Sequence, residues 1–209
     1  MVNLKDLHMC LNNKDEYDNV DFKDLDCVLS PKKLQGNKIS LDKGLFQGKK
    51  DIISALDIIN NSKNDLVYAL IAPAFMGQFD VRVTPGKLRT AFKNIGFDGM
   101  VEVALFADIL TLREALEFDR NIKSSGDYQL TSCCCPMWIA MIRKIYAEIA
   151  GHLTASVSPM IACGRVIKKI NPSAKTIFIG PCVAKKAEAK DKNLAGAIDL
   201  VLTFQEVNE

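Results

Sequence analysis

The sequence has no apolar run long enough to cross a membrane and no strong excess of charge of either sign. Its longest apolar run, residues 66–75, is far shorter than the ~20 residues that a membrane-spanning helix requires. Its 27 basic and 25 acidic residues are scattered, which indicates neither a nucleic-acid footprint nor a polybasic membrane patch. The first residues lack the basic-then-apolar layout of a secretory signal, so we expect a cytoplasmic protein without disulfides.

The composition is that of a folded globular chain. Of 209 residues, 48% are hydrophobic and 25% charged, which excludes a disordered or fibrous protein and allows a sizeable core. Residues 1–48 are polar and carry no sustained hydrophobic period. We therefore expect a polar N-terminal extension over residues 1–48 and a folded domain over residues 49–209.

Strand-like and helix-like segments alternate from residue 51 onward. Apolar runs predict strands at residues 66–72, 99–104, 128–132, 176–179 and 198–203. Helical periodicity and capping signals predict helices at residues 51–59, 85–95, 106–120, 136–150 and 159–170. This alternation predicts an α/β fold, with a mostly parallel sheet flanked by helices on both faces.

The end of the sequence carries a helix-start signal. Thr203 and Glu206 have the T-x-x-E spacing of a capping box, in which each residue binds a backbone amide of the other. We expect a helix to begin close to the last residue. A polar tail that matches the pattern by chance is the alternative.

Three of the seven cysteines are consecutive, at positions 133, 134 and 135. No pair has the C-x2-C spacing that zinc sites usually use. Cys135 precedes Pro136 at the start of a predicted helix, where the helix dipole favours a thiolate. Thiolates are soft ligands that suit iron–sulfur clusters, zinc or copper(I), and because no C-x2-C pair is present, an iron–sulfur cluster is favoured over zinc. A chance run of small buried residues is the alternative, and Cys163 is interpreted as a buried helix residue.

Three unusual loops follow predicted strands, at residues 72–79, 131–138 and 180–185. In a parallel sheet the carboxyl ends of the strands lie at one edge, where ligands bind. We therefore expect Cys135 and Cys182 to face one another across a cleft.

These loops resemble the catalytic domain of iron-only (FeFe) hydrogenases. The family motif T-S-C-C-P-x-W appears at residues 131–138 with one added cysteine. The family motif P-C-x-x-K-x-x-E is matched by Pro181, Cys182, Lys185 and Glu188. The pairs Ala72-Pro73 and Ser158-Pro159 resemble two further family segments. Together the four matches, in the family's order, cover nearly everything from residue 66 to residue 206.

The resemblance implies reversible conversion of protons and electrons to H2 at an H-cluster. That cofactor is a two-iron subsite with CO, CN and dithiolate ligands, joined through a cysteine sulfur to a 4Fe-4S cluster. It also implies a ferredoxin-like electron carrier as partner.

The resemblance assigns roles to individual residues. Cys135 and Cys182 match cubane ligands, and Cys134 matches the thiol that exchanges protons with the two-iron subsite. The added Cys133 leaves a second register open, in which Cys134 is the ligand and Cys133 the proton-exchanging thiol. Lys185 matches the lysine that donates to a cyanide. Ala72 and Pro73 match residues that line the two-iron pocket.

Two glutamates match the family's proton path. Glu114 and Glu117 lie three residues apart on a predicted helix, hence on one face, and carboxylates can relay protons. The alternative is a solvated acidic face near Arg113 and Arg120.

The sequence also departs from the family. The last two cubane cysteines, in a later C-x-x-x-C segment, and the upstream ferredoxin-like cysteine runs have no counterpart here. Ala74 and Gly180 stand where members commonly have serine and methionine. Two hypotheses follow: a hydrogenase domain completed by a further segment or another polypeptide that supplies the missing ligands, or a non-catalytic iron–sulfur or redox/H2-sensing remnant.

Overall fold

A computed structural model of the chain describes residues 41–62, 65–131 and 134–208, with side chains from residue 51 onward. The helices in this part are α1 (Leu41–Asn61), α2 (Pro85–Ile95), α3 (Ala104–Asn121), α4 (Pro136–Ile145), α5 (Pro159–Ile170), α6 (Ala184–Lys190) and α7 (Phe204–Asn208). The strands are β1 (Val67–Ile71), β2 (Gly99–Glu102), β3 (Lys175–Gly180) and β4 (Leu200–Thr203). Two short 3-10 helices cover Pro73–Phe75 and Ala147–His152.

The four strands form one parallel sheet in the order β2-β1-β3-β4. Consecutive side chains are buried along most of β1 and β3. Because neighbouring residues of a strand point to opposite faces, this pattern requires cover on both sides of the sheet. Helix α5 packs on β1 and β3, α2 on β2, and α1 and α6 on β4. The predicted α/β class is confirmed.

The strand order contains a topological switch point. From β1 the chain passes to β2 on one side, and it later returns to place β3 on the other side of β1, with β4 beyond it. The two connections therefore diverge between β1 and β3, and the loops after these strands leave a crevice between them.

Local sequence signals explain the ends of several helices. The Thr84 side chain accepts a hydrogen bond from the Lys87 amide at the start of α2. Gly96 ends α2 with φ of 118°, a conformation that is strained for residues with a Cβ. Ser158 caps α5 by accepting from the Ile161 amide. The predicted ends of both helices are confirmed.

The predicted capping box is also present. The Thr203 amide donates to Glu206 Oε2 at 2.6 Å, and the Glu206 amide donates to Thr203 Oγ1 at 3.2 Å. Lys186 of α6 pairs with both Glu206, at 2.6 Å, and Asp51 of α1, at 2.5 Å. Burial alone would lower the pKa of Lys186, but the hydrogen bonds to Asp51 and Glu206 raise it overall. This charged triad ties α1, α6 and α7 together.

The prediction of a strand at residues 128–132 is wrong for the part of this segment that the structure describes. Leu130 forms only an isolated parallel bridge with Leu153, and its amide donates to the His152 carbonyl at 2.7 Å. Among the described residues, this segment therefore pairs with Leu153 and not with a strand of the sheet.

The helix predicted at residues 136–150 is also partly wrong. Helix α4 ends at Ile145, because Tyr146 leaves the helical conformation with φ of −122° and ψ of 49°. The chain continues as the 3-10 helix Ala147–His152, which contains Gly151 rather than ending at it. The change of direction leads to Leu153, which pairs with Leu130.

Smaller boundary shifts affect α1, β2 and α3. Helix α1 begins at Leu41 and passes through position 48 without a break. The proposed division into an extension and a domain stays a prediction, and residues 1–40 lie outside the described part. Strand β2 ends at Glu102, and α3 starts earlier than predicted, at Ala104. Within the part of the chain that the structure describes, no helix is long and apolar enough to span a bilayer.

The core centres on α5 and the middle strands. Met160, Ile161, Ala162 and Cys163 are almost entirely buried. Gly164 follows them, and a Cβ at this position would lie 2.2 Å from the Ala197 carbonyl oxygen. Because that neighbour is backbone, the close packing of α5 requires a glycine here.

We expect Gly164→Ala to lower the free energy of unfolding by about 1–3 kcal/mol, the usual cost of overpacking. Urea denaturation measures this loss. Gly151→Ala is the control, because a Cβ there meets no atom within 4 Å. Equal stability of the Gly164→Ala variant and the unmodified chain would contradict the packing described.

Candidate metal centre

The switch point brings the loops after β1 and β3 into contact. The Ala72 amide donates to the Ile179 carbonyl at 2.8 Å. A Cβ at position 180 would lie 3.2 Å from Ala72 Cβ and 2.6 Å from the Phe178 ring. The Phe178 ring thus occupies the space that a side chain at Gly180 would need. Ala72 is buried and Pro73 is exposed, at the start of the 3-10 helix Pro73–Phe75.

Cys135 lies at the start of α4, as predicted. Its Sγ accepts a hydrogen bond from the Trp138 amide at 3.5 Å, and Pro136 occupies the first turn. A partly buried sulfur in this position faces the amide end of the helix, which favours an anion. This position at the helix start is compatible with the predicted role of Cys135 as a metal ligand.

Cys182 lies two residues after β3 and is partly buried. It packs with Met137 against the small buried cluster formed by Ala140 and Ala184. Because Met137 and Ala140 belong to α4, the loop after β3 adjoins the helix that begins next to Cys135. Helices α4 and α6 are themselves in contact.

Lys185 provides a second link between these segments. Its Nζ donates to the Cys134 carbonyl at 2.7 Å and to Glu188 Oε2 at 2.6 Å. The Lys185 side chain is largely buried, whereas Cys134 is exposed. The structure thus brings Cys134, Cys135, Cys182 and Lys185 to one edge of the sheet; we call these four residues the cysteine crevice.

The donor groups of the cysteine crevice suit an anionic iron–sulfur group. Two partly buried thiols supply soft ligands, and Lys185 supplies positive charge. Trp138, whose backbone amide contacts the Cys135 sulfur, also has a buried indole N–H without a partner among the described residues. Two thiols are half of the ligand set of a cubane. Residues 41–62, 65–131 and 134–208 contain no cluster of three or more His, Cys, Asp or Glu that could hold a metal.

The remaining cysteines lie away from the cysteine crevice or outside the described residues. Cys163 is fully buried in α5, and burial raises the pKa of its thiol to about 12. It is the buried helix residue that the sequence predicts. Cys10, Cys27 and Cys133 lie outside the described residues, so the choice between the two registers of the cysteine run stays open.

The two predicted glutamates lie on α3 and are partly buried. Glu114 Oε1 accepts from Thr154 Oγ1 at 3.3 Å, so its hydrogen bond is to Thr154 and not to a cysteine. Glu117 Oε2 is buried and has no hydrogen-bond partner among the described residues. The exposed positions of α3 instead include Leu105, Leu112 and Leu116.

Thr154 is a residue that the sequence analysis missed. Its hydroxyl donates to Glu114 and accepts from the Ser156 amide at 3.2 Å. No motif marks Thr154, since its contact with α3 spans 40 positions of the chain. Only the fold brings the two segments together.

The fold is that of an α/β protein with a parallel sheet, in which Cys182 follows β3 at the switch point and Lys185 joins it to the segment of Cys134. The family described as iron only hydrogenase large subunit, C-terminal domain, matches residues 65–209. The chain belongs to this family.

Two curated relatives illustrate the likeness. The chain is similar to iron hydrogenase 1 of Clostridium pasteurianum, with 31% identity over 153 residues, or 68% of this chain and 26% of the relative. It is also similar to the NADP-reducing hydrogenase subunit HndD of Solidesulfovibrio fructosivorans, with 26% identity over 151 residues, or 61% of this chain and 26% of that subunit. The chain therefore matches about a quarter of the length of each relative.

The environments of Cys134 and Cys163 predict very different thiol reactivity. In the folded chain at pH 8, we expect iodoacetamide to modify exposed Cys134 at least roughly a hundredfold faster than Cys163, which reacts only after local or global opening. Peptide mass spectrometry measures both rates, and the urea-unfolded chain, in which the rates converge, is the control. Similar rates in the folded chain would contradict the burial of Cys163.

Proposed function

We propose that this chain forms part of an iron-only hydrogenase catalytic domain that reversibly oxidises H2 and reduces protons at an H-cluster. The observation that carries the proposal is the contact between the segment that bears Cys182, after β3, and the segment that bears Cys134 and Cys135, before α4, through the hydrogen bond of the Lys185 ammonium to the Cys134 carbonyl. Membership of the family supports it further.

Cys135 and Cys182 hold the 4Fe-4S cluster in this proposal. The positions of these two cysteines support the assignment: Cys135 lies at the start of α4, and Cys182 packs beside the same helix. When bound, the H-cluster would supply the redox chemistry that joins two protons and two electrons into H2. Ala72 and Pro73 would line the two-iron pocket from the loop after β1, and Lys185 would donate an N–H to a cyanide of the bound group.

Cys134 would exchange protons at the bound cluster, and Glu114 and Glu117 would relay them to and from solvent. The partial burial of both glutamates on one helix supports this role, because carboxylates can transfer protons. The Thr154 hydroxyl, bound to Glu114, adds a group that can accept and donate a proton in the same path.

Electrons reach or leave the cluster through a ferredoxin-like carrier in the cytoplasm. The remaining cubane ligands come from residues outside the described part of the chain or from another polypeptide. Both inferences rest on the family and on the two thiols that the crevice supplies.

A second candidate function is a non-catalytic iron–sulfur or redox/H2-sensing protein without the two-iron subsite. The observation that favours it is that no third ligand joins Cys135 and Cys182 within the described residues. The two functions differ in whether CO and CN are bound.

Anaerobic infrared spectroscopy after maturation separates these functions. The hydrogenase proposal expects CO and CN stretching bands, which occur where protein does not absorb. Iron in the matured protein without these bands would support the second function and overturn the first.

We expect Cys182→Ser to abolish cluster retention, because the hydroxyl is a much poorer ligand for iron than a thiolate. Iron per chain after anaerobic reconstitution measures the effect. Cys163→Ala is the matched control and should retain its iron, because Cys163 is buried away from the crevice. Unchanged iron in the Cys182→Ser variant would refute the ligand assignment.

We expect Cys134→Ala to leave iron content unchanged and to slow H2 turnover by roughly 10²-fold or more, the usual effect of losing a proton-transfer group. Iron analysis and gas chromatography of H2 provide the two measurements. Undiminished turnover would contradict the relay role. Loss of iron would instead favour the other register, in which Cys134 is the ligand.

A further inference from the structure

Glu188 is a buried carboxylate directly behind the cysteine crevice. The residue is 7% exposed, and its Oε2 accepts from Lys185 Nζ at 2.6 Å. Both residues belong to the short helix α6, three positions apart. The contact is therefore built into one turn of a helix and does not depend on a distant element.

Because this pair is buried, the loss of one partner costs more free energy than it does in an ordinary surface ion pair. The side chains of Lys185 and Glu188 are 11% and 4% exposed. Exposed pairs contribute little because water competes for both charges. Removing one partner of a buried pair leaves a charge without compensation, which is strongly unfavourable. Glu188 thus supplies the countercharge of Lys185 at a distance of 2.6 Å.

The hydrogen-bond capacity of Lys185 shows what this arrangement achieves. An ammonium has three N–H donors. One donates to Glu188 and one to the Cys134 carbonyl, and no third acceptor contacts it within the described residues. Glu188 therefore anchors the ammonium on α6, the second bond fixes the loop before α4, and one donor is left for a ligand.

The neighbouring lysine provides an internal comparison. Lys186 also forms buried ion pairs, with Asp51 and Glu206. These partners belong to α1 and α7, whereas the Lys185 pair contacts the cysteine loop. Two consecutive lysines of the same helix thus serve different parts of the fold, and only one of them reaches the crevice.

We propose that Glu188 is a positioning residue that holds the Lys185 ammonium against the Cys134 carbonyl, so that the two cysteine loops are fixed before any cluster binds. Only the last step, that this preorganisation assists cluster binding, rests on the proposed function. The cross-link itself is a property of the chain without cofactor.

Hydrogen–deuterium exchange of the full chain without cluster tests the cross-link. In Glu188→Ala and Glu188→Gln, we expect amide exchange in residues 134–140 to become roughly tenfold faster or more. In these variants, the local opening that exposes the amides to solvent no longer has to break the Lys185 bridge. Asp51→Asn is the matched control. It removes an ion pair of similar burial from Lys186 and should leave exchange in residues 134–140 unchanged.

A double-mutant cycle adds a readout that a merely structural role would not produce. Lys185→Met should accelerate the same amides, and combining it with Glu188→Ala should add no further acceleration, because both changes remove one link. Additive effects would overturn the proposal. So would unchanged exchange in residues 134–140 in a folded Glu188 variant. If Glu188→Ala does not fold, Glu188→Gln decides, since it keeps the shape of the side chain.

Iron content separates this proposal from the proposed function. After anaerobic reconstitution, we expect less iron per chain in the Glu188 variants than in the Asp51→Asn control. Equal iron in these folded variants would overturn the preorganising role. Failure of the unmodified chain to bind iron at all would contradict the proposed function, while the exchange experiment would still decide whether Glu188 positions Lys185.

Discussion

The parallel pairing of β1 with β3 is the constraint on which the rest of the structure depends. It aligns Ile71 with Ile179, and the Ala72 amide extends the same ladder by donating to the Ile179 carbonyl. Because the chain leaves both strands at this point, the loops that carry Ala72 and Cys182 must diverge from a common edge. The reversal of strand order between these two strands places Cys182 at the switch point, and the hydrogen bond of Lys185 to the Cys134 carbonyl joins it to the segment before α4.

Charge compensation is the second requirement of this edge. Thiol ligands bind metals as anions, and the largely buried Lys185 ammonium contacts the segment that carries Cys134 and Cys135. The positive charge of Lys185 is in turn compensated by Glu188, so the two charges are balanced before any ligand binds. Lys186, one residue later, uses the same chemistry to tie α6 to α1 and α7. A seven-residue helix thus connects the site with the scaffold.

Prediction succeeded where the deciding contacts lie within a few residues. The caps at Thr84 and Ser158 and the capping box at Thr203 all act within one turn of helix. It failed at residues 128–132 and after Ile145, because apolar periodicity does not reveal which partner a segment will meet. Likewise, motifs marked the cysteines as candidate ligands, whereas no motif marked the contact of Thr154 with Glu114.

The order of residues by itself determined the α/β class, the helix starts that set Cys135 at an amide terminus, and which cysteines are candidate soft ligands. These depend on periodicity, capping and side-chain chemistry, which act locally. Only the tertiary structure decided which strands are neighbours, and therefore which loops share an edge and that Lys185 reaches Cys134 across 51 positions. Such contacts depend on packing between distant segments, for which no short stretch of sequence carries the information.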